Sequence, residues 1–206
     1  MRKVHPSYLP YEATSGNDGE EIAFTVWRKS LVFNCNGFTV FNPNGKLKFR
    51  VDCYQSESNH ILLMDAAGKS LFTIRRKRLG FGDTWMIYEG ESSVNHLMSA
   101  RKYRIMSHNS RGKLLRVRFA RQGIMPITGY EVEGWYGERR CSVYECWGDD
   151  CKTINKRKVA EIKQKEAVGG VAFGFDVFRL VVWRNLVDPS VAMAVLVLVD
   201  QMFGNF

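Results

Sequence analysis

Apolar and polar residues alternate with a period of two along most of this chain. The run Lys46-Leu47-Lys48-Phe49-Arg50-Val51 switches between charge and apolar bulk at every step, which is the pattern of a strand with one buried face. It follows Phe38-Thr39-Val40-Phe41 across the polar turn Asn42-Pro43-Asn44-Gly45, so the two runs predict a hairpin. The same phrase returns twice. Ile61–Met64 and Leu71–Ile74 flank Asp65-Ala66-Ala67-Gly68-Lys69, and Tyr103–Met106 and Leu114–Phe119 flank a polar stretch ending Gly112-Lys113. In each turn the glycine is expected to take a positive φ, and the lysine keeps the strand entry in water. Further strands are predicted at Trp85–Tyr88, Ile127–Val132, Cys141–Trp147, Val159–Lys163 and Phe173–Trp183. This antiparallel meander implies an all-β sandwich or barrel.

The pattern breaks near the end. Asp188-Pro189-Ser190 is a helix start, with Asp188 as N-cap and Pro189 at the first helical position. Val191 through Val199 is then apolar on every side, and Gly204 closes the segment. A helix of about 189–203, apolar all round, must be buried on all sides. Three settings fit: inside a β-barrel, in a bilayer for which it is short, or as a buried strand, given its valines. The first is favoured, so no transmembrane span is expected.

Residues 1–21 are polar, carry prolines and glycines, and are expected to be a flexible tail before a single domain over 22–206. They lack the apolar stretch of a signal peptide, and neither terminus carries a lipidation motif. The composition (206 residues, 45% hydrophobic, 25% charged) excludes a disordered or collagen-like chain. Five cysteines without paired CxxC spacing indicate reduced thiols. Cys141, Cys146 and Cys151 have no histidine nearby, which argues against zinc; no metal and no cofactor are expected. The four histidines are scattered, and HExxH, GxSxG and P-loop patterns are missing, so catalysis is not expected.

Thirty Lys+Arg against 21 Asp+Glu give a net charge of +9, unevenly spread. No acid occurs between Ser92 and Tyr130, a span that holds Arg101, Lys102, Arg116 and Arg118, nor between Ile22 and Val51. On strands, Lys46, Lys48 and Arg50 share one face, as do Arg116 and Arg118, and Arg75-Arg76-Lys77-Arg78 adds charge at a strand end. These nine residues are the candidate contacts for an anionic headgroup if they converge. The plainer reading is a solvated outer face that blocks edge pairing. Nucleic-acid binding is disfavoured, since the aromatics fall on the buried face and no recognised binding pattern is present.

Trp27-Arg28-Lys29-Ser30-Leu31, Gly37-Phe38-Thr39-Val40, Gly45 through Asp52, Leu63 through Lys69, Ile74 through Lys77 and the closing Leu198-Val199-Asp200 together resemble the LURP-one-related family of plant proteins. That family is similar in fold to the tubby C-terminal domain and the phospholipid scramblases. The resemblance implies a closed antiparallel barrel of about twelve strands around a central C-terminal helix. It also implies a role in plant defence, with no established enzymatic activity. The tubby and scramblase kinship points to an anionic phospholipid or phosphoinositide as partner. A protein-protein interaction module, or a nucleic-acid-binding, tubby-like transcription-associated one, is the alternative. The implied location is the cytoplasm, with peripheral plasma-membrane or nuclear association.

Overall fold

Phe24, Val26, Phe38, Val40, Phe49, Val51, Leu63 and Ile74 occupy alternate positions of successive strands, and all turn away from solvent. The computed structural model describes residues 20–33, 35–54, 60–77, 84–103, 112–120, 127–147, 155–167 and 173–204, so the expected tail lies outside them up to residue 19. The strands are β1 (Glu21–Trp27), β2 (Asn36–Phe41), β3 (Leu47–Tyr54), β4 (His60–Asp65), β5 (Ser70–Arg76) and β6 (Thr84–Glu89). They continue as β7 (Met98–Lys102), β8 (Lys113–Phe119), β9 (Ile127–Trp135), β10 (Arg140–Trp147), β11 (Asn155–Gln164) and β12 (Val177–Trp183). One helix, α1 (Pro189–Phe203), ends the fold.

Every strand pairs antiparallel with its chain neighbours, and β1 closes the ring on β12, with Glu21 opposite Trp183 and Trp27 opposite Val177. An even number of strands lets an up-and-down meander close antiparallel, which leaves no sheet edge open to aggregation. The turn glycines Gly45, Gly68 and Gly112 have φ of 73°, 86° and 78°, as the repeated turn phrase requires. One strand differs from expectation. The chain pairs over Met98–Lys102, ahead of the expected Tyr103–Met106; Tyr103 N–H still donates to Leu114 O at 3.0 Å, and residues 104–106 lie outside the described residues. Met98 and Ala100 are the inward pair of β7, and alanine carries too little apolar bulk to mark a strand in the sequence.

Eight strands make a barrel that side chains can fill; twelve enclose more space, and here α1 occupies it. Ala192 through Asp200 and Met202 are buried, and α1 is about 22 Å long at ~1.5 Å per residue. Valine is a modest helix former, yet a helix wins here for a clear reason. A closed barrel offers no free edge, so a strand threaded through it would leave its N–H and C=O groups unpaired, whereas a helix satisfies them internally. Asp188 Oδ1 accepts from the Ser190 N–H at 2.7 Å, as an N-cap does. Gly204 ends the helix at φ −85°, so lack of room and not left-handed backbone makes it glycine: a Cβ there would lie 2.4 Å from Asp200 O. Among the described residues no helix is long and apolar enough to cross a membrane.

Closeness of neighbouring strands sets one demand on the sequence. At Gly129 (φ +156°) an added Cβ would lie 1.9 Å from the Val117 carbonyl oxygen of β8, and backbone cannot yield as a side-chain tip can. Gly129→Ala is therefore expected to lower stability by about 2–3 kcal/mol, read from the urea midpoint. Unchanged stability would mean the β8–β9 pair separates without cost.

Candidate anion-binding site

All odd-numbered strands end at the rim where α1 stops. On the outer face beneath that rim, strand register lays Lys77, Thr84, Arg101 and Arg116 in one transverse row. Lys77 N–H donates to Thr84 O at 2.8 Å, Thr84 pairs with Arg101, and Arg101 pairs with Arg116. At ~4.8 Å per strand, the row spans about 14 Å. Arg118, two residues along β8 on the same face, lies opposite Ser99 in the next row. These side chains frame a concavity of about 590 Å³ whose lining includes His96, Lys102 and Tyr103 and, among the described residues, no carboxylate.

The basin is cationic because its neighbours' charges are already matched. Glu131 on β9 is buried on the outer face, where it accepts from Tyr103, from Lys113 at 3.2 Å and from Arg116 at 2.5 Å. Burial alone would raise its carboxyl, but those hydrogen bonds outweigh burial and hold it below the ordinary glutamate range. Burial and the bond to Glu131 push the Tyr103 phenol up, keeping it protonated and donating. Farther round, Lys156–Glu133 and Arg157–Glu145 pair across β9–β11, and Lys163–Glu161 pair within β11. Arg101 Nε donates to Thr84 Oγ1 at 3.0 Å, which aims the guanidinium but leaves its charge unmatched among the described residues. Among the described residues, Lys77 and Arg118 make no ion pair.

Of the nine sequence candidates, Lys77, Arg116 and Arg118 come together. Lys46 and Lys48 are exposed at the opposite end of the barrel, and Lys48 lines a separate hollow with Asp65 and Asp188. Arg50 keeps the outward register of Lys48, between the buried Phe49 and Val51, but is less exposed. It is half-buried, and its Nη2 lies 3.0 Å from the buried Asp52. Arg75 is half-buried on β5, Arg76 is exposed at the strand end, and Arg78 lies outside the described residues. Arg101 is the residue that sequence reasoning left out of the site. Its place on β7 and the Met98, Ala100 inward alternation would have put it on the outer face.

The rim itself is fixed to α1 by polar contacts. Asp200, almost fully buried, accepts from the Tyr136 hydroxyl at 2.9 Å, and its Oδ1 lies 3.2 Å from Arg28 Nε. Arg28 Nη2 also donates to Gly204 O at 2.9 Å, placing a cation at the negative end of the helix dipole. Burial raises the Asp200 carboxyl above the ordinary aspartate range, and Arg28, Tyr136 and Arg139 only partly offset it. Cys53 lies close by; burial and nearby Asp200 push its thiol up to about 12, so it is not a nucleophile at neutral pH.

Fold and site together define a helix-filled up-and-down barrel with a cationic basin at the helix C-terminal end. This chain belongs to the LURP-one-related family, whose model matches residues 22–200. It is 45% identical to Protein LURP-one-related 8 of Arabidopsis thaliana over 208 residues, covering all of both chains. It is 36% identical to Protein LURP-one-related 5 of the same plant, over 91% of this chain and 86% of that one. An X-ray structure of an Arabidopsis thaliana protein superposes with a TM-score of 0.59 at 20% identity, covering 89% of this chain and 92% of the other, which shows the shared fold.

Proposed function

We propose that this protein is a non-enzymatic module of plant defence that docks reversibly on anionic phospholipid, with the β5–β8 basin receiving the phosphorylated headgroup. The observation that carries the reading is convergence. Cations from three separate sequence segments meet around one concavity that no acid among the described residues lines, while the cations of β9–β11 are spent on glutamates. Arginine forks and a lysine point charge suit phosphate oxygens. Each such residue near an anionic leaflet contributes on the order of 1 kcal/mol, enough in sum for peripheral docking.

Vesicle co-sedimentation at low salt tests it. Phosphatidylserine- and phosphoinositide-containing vesicles are expected to retain the protein, and phosphatidylcholine vesicles are not. The triple variant Lys77→Gln/Arg101→Gln/Arg118→Gln is expected to bind about a hundredfold more weakly, at ~1 kcal/mol per charge, with unchanged thermal stability. Equal retention on neutral and anionic vesicles, or an unaffected triple variant, would refute the assignment. Partners recovered from extracts at high salt, with no vesicle binding, would favour a protein-interaction module.

A further inference from the structure

Large exposed apolar side chains gather at one end of this molecule. Of nine among the described residues, seven lie at the rim where α1 ends, and only Val94 and Leu97 lie at the other. The β1–β2 loop displays Leu31 (55% exposed), Val32 and Phe33 (91%), just after Trp27. The β11–β12 loop displays Phe173 and Phe175 (61%), and β9 ends on Trp135 (67%). These three sites adjoin one another. Arg28 N–H donates to Asp176 O at 2.7 Å, and Arg139, in the turn after Trp135, donates Nε to Phe175 O at 2.9 Å.

The display is held in place. Ser30 Oγ donates to the buried Asp52 at 2.5 Å and accepts from the Val32 N–H at 2.9 Å, while Thr39 Oγ1 donates to Lys29 O at 2.6 Å. Beyond the tip Cys35 Sγ donates to Cys53 O at 3.2 Å, so the loop is anchored on both sides and its apolar tip stays in water in the free protein. Lysines accompany the aromatics: Lys29 Nζ stands 5.2 Å from the Trp27 ring, and Lys165 Nζ 4.7 Å from the Phe173 ring. Aromatic bodies with cationic tips beside them match the boundary between acyl chains and headgroups, where rings sit among the chains and ammonium groups reach the phosphates. Among the described residues Glu138, Glu166 and Asp176 are the exposed acids at this end, and Glu138 is paired with Arg140. The far end, by contrast, carries Asp65, Glu89, Glu91 and Asp188 in polar turns.

We propose that Leu31–Phe33, Phe173, Phe175 and Trp135 enter the membrane interface, so that the barrel stands on an anionic bilayer on its α1 C-terminal end. This rests on the headgroup reading of the basin, which opens beneath the same rim, and adds orientation and an apolar component to it. The occupant is a lipid surface because the apolar cluster is interleaved with cations and adjoins the basin, an arrangement complementary to anionic lipid.

The test pairs two readouts on the full chain. With phosphatidylserine vesicles carrying brominated acyl chains, part of the tryptophan emission is expected to be quenched, and that part is lost in Trp135→Leu. Phe33→Ser/Phe175→Ser, whose changes lie at exposed positions, is expected to keep its thermal midpoint and bind at least about tenfold more weakly, with the salt dependence of binding unchanged. Vesicle binding without quenching, with the double variant equal to wild type, overturns insertion and leaves the headgroup reading standing. No binding of the wild type to anionic vesicles overturns both. Concentration-dependent self-association that the double variant abolishes, without quenching, overturns insertion and assigns the rim to a second copy of the chain.

Discussion

Leu196→Lys abolishes the folded state. Leu196 is fully buried in α1 at the centre of the barrel, and strands surround it on every side. A lysine there has only Asp200 one helical turn away, already engaged by Tyr136 and Arg28, so it must either be neutralised or expel the helix. The expected cost is several kcal/mol, comparable to the whole stability of a domain of this size. Leu196→Ala is graded evidence for the same packing and should cost about 2–5 kcal/mol, while Leu196→Met should cost less than about 1.5. Soluble yield and thermal unfolding decide. A folded lysine variant near the wild-type midpoint would mean that α1 is not the filling of the barrel.

Asp200→Ala comes next in size. Tyr136 loses the acceptor for a buried hydroxyl, Arg28 loses its carboxylate, and the tie between α1 and the rim is cut. Arg28 is about one-third exposed, so its share is screened, and the orphaned hydroxyl dominates. A loss of about 2–3 kcal/mol is expected. Asp200→Asn keeps an acceptor and should lose less than half of that. The pH dependence has a definite sign. Because burial raises the folded-state carboxyl above its ordinary value, the stability that Asp200 contributes is full below the ordinary aspartate range and falls as pH rises through the raised value. Asp200→Asn should flatten that part of the stability–pH curve. Equal losses for the alanine and asparagine variants would show that the hydrogen bond to Tyr136 is not what holds the rim.

The hairpins were legible because their cause is local. Alternation in Lys46–Val51, the glycines before Lys46, Lys69 and Lys113, and the cap at Asp188-Pro189 each act over a few residues. Closure was not legible from alternation, since the β1–β12 pair joins residues about 150 apart and could equally belong to a sandwich; the family resemblance supplied it. The site was half visible for the same reason. Period two put Arg116 and Arg118 on one face, but which cations are matched depends on the acid across the strand pair. Glu131 lies outside the acid-free span and neutralises Arg116, while Asp52 does so for Arg50. The apolar rim left no trace because loops carry no periodicity: Leu31–Phe33 looks the same in sequence whether its tip is covered or bare.

Hydrogen exchange with and without phosphatidylserine vesicles tests the central claim most directly, because it reports which end of the barrel meets the lipid. Protection is expected to rise at residues 28–33, 98–103 and 173–176, and to stay unchanged in the far turns at 42–46 and 65–69. Protection confined to those far turns, or spread evenly round the barrel, would contradict it.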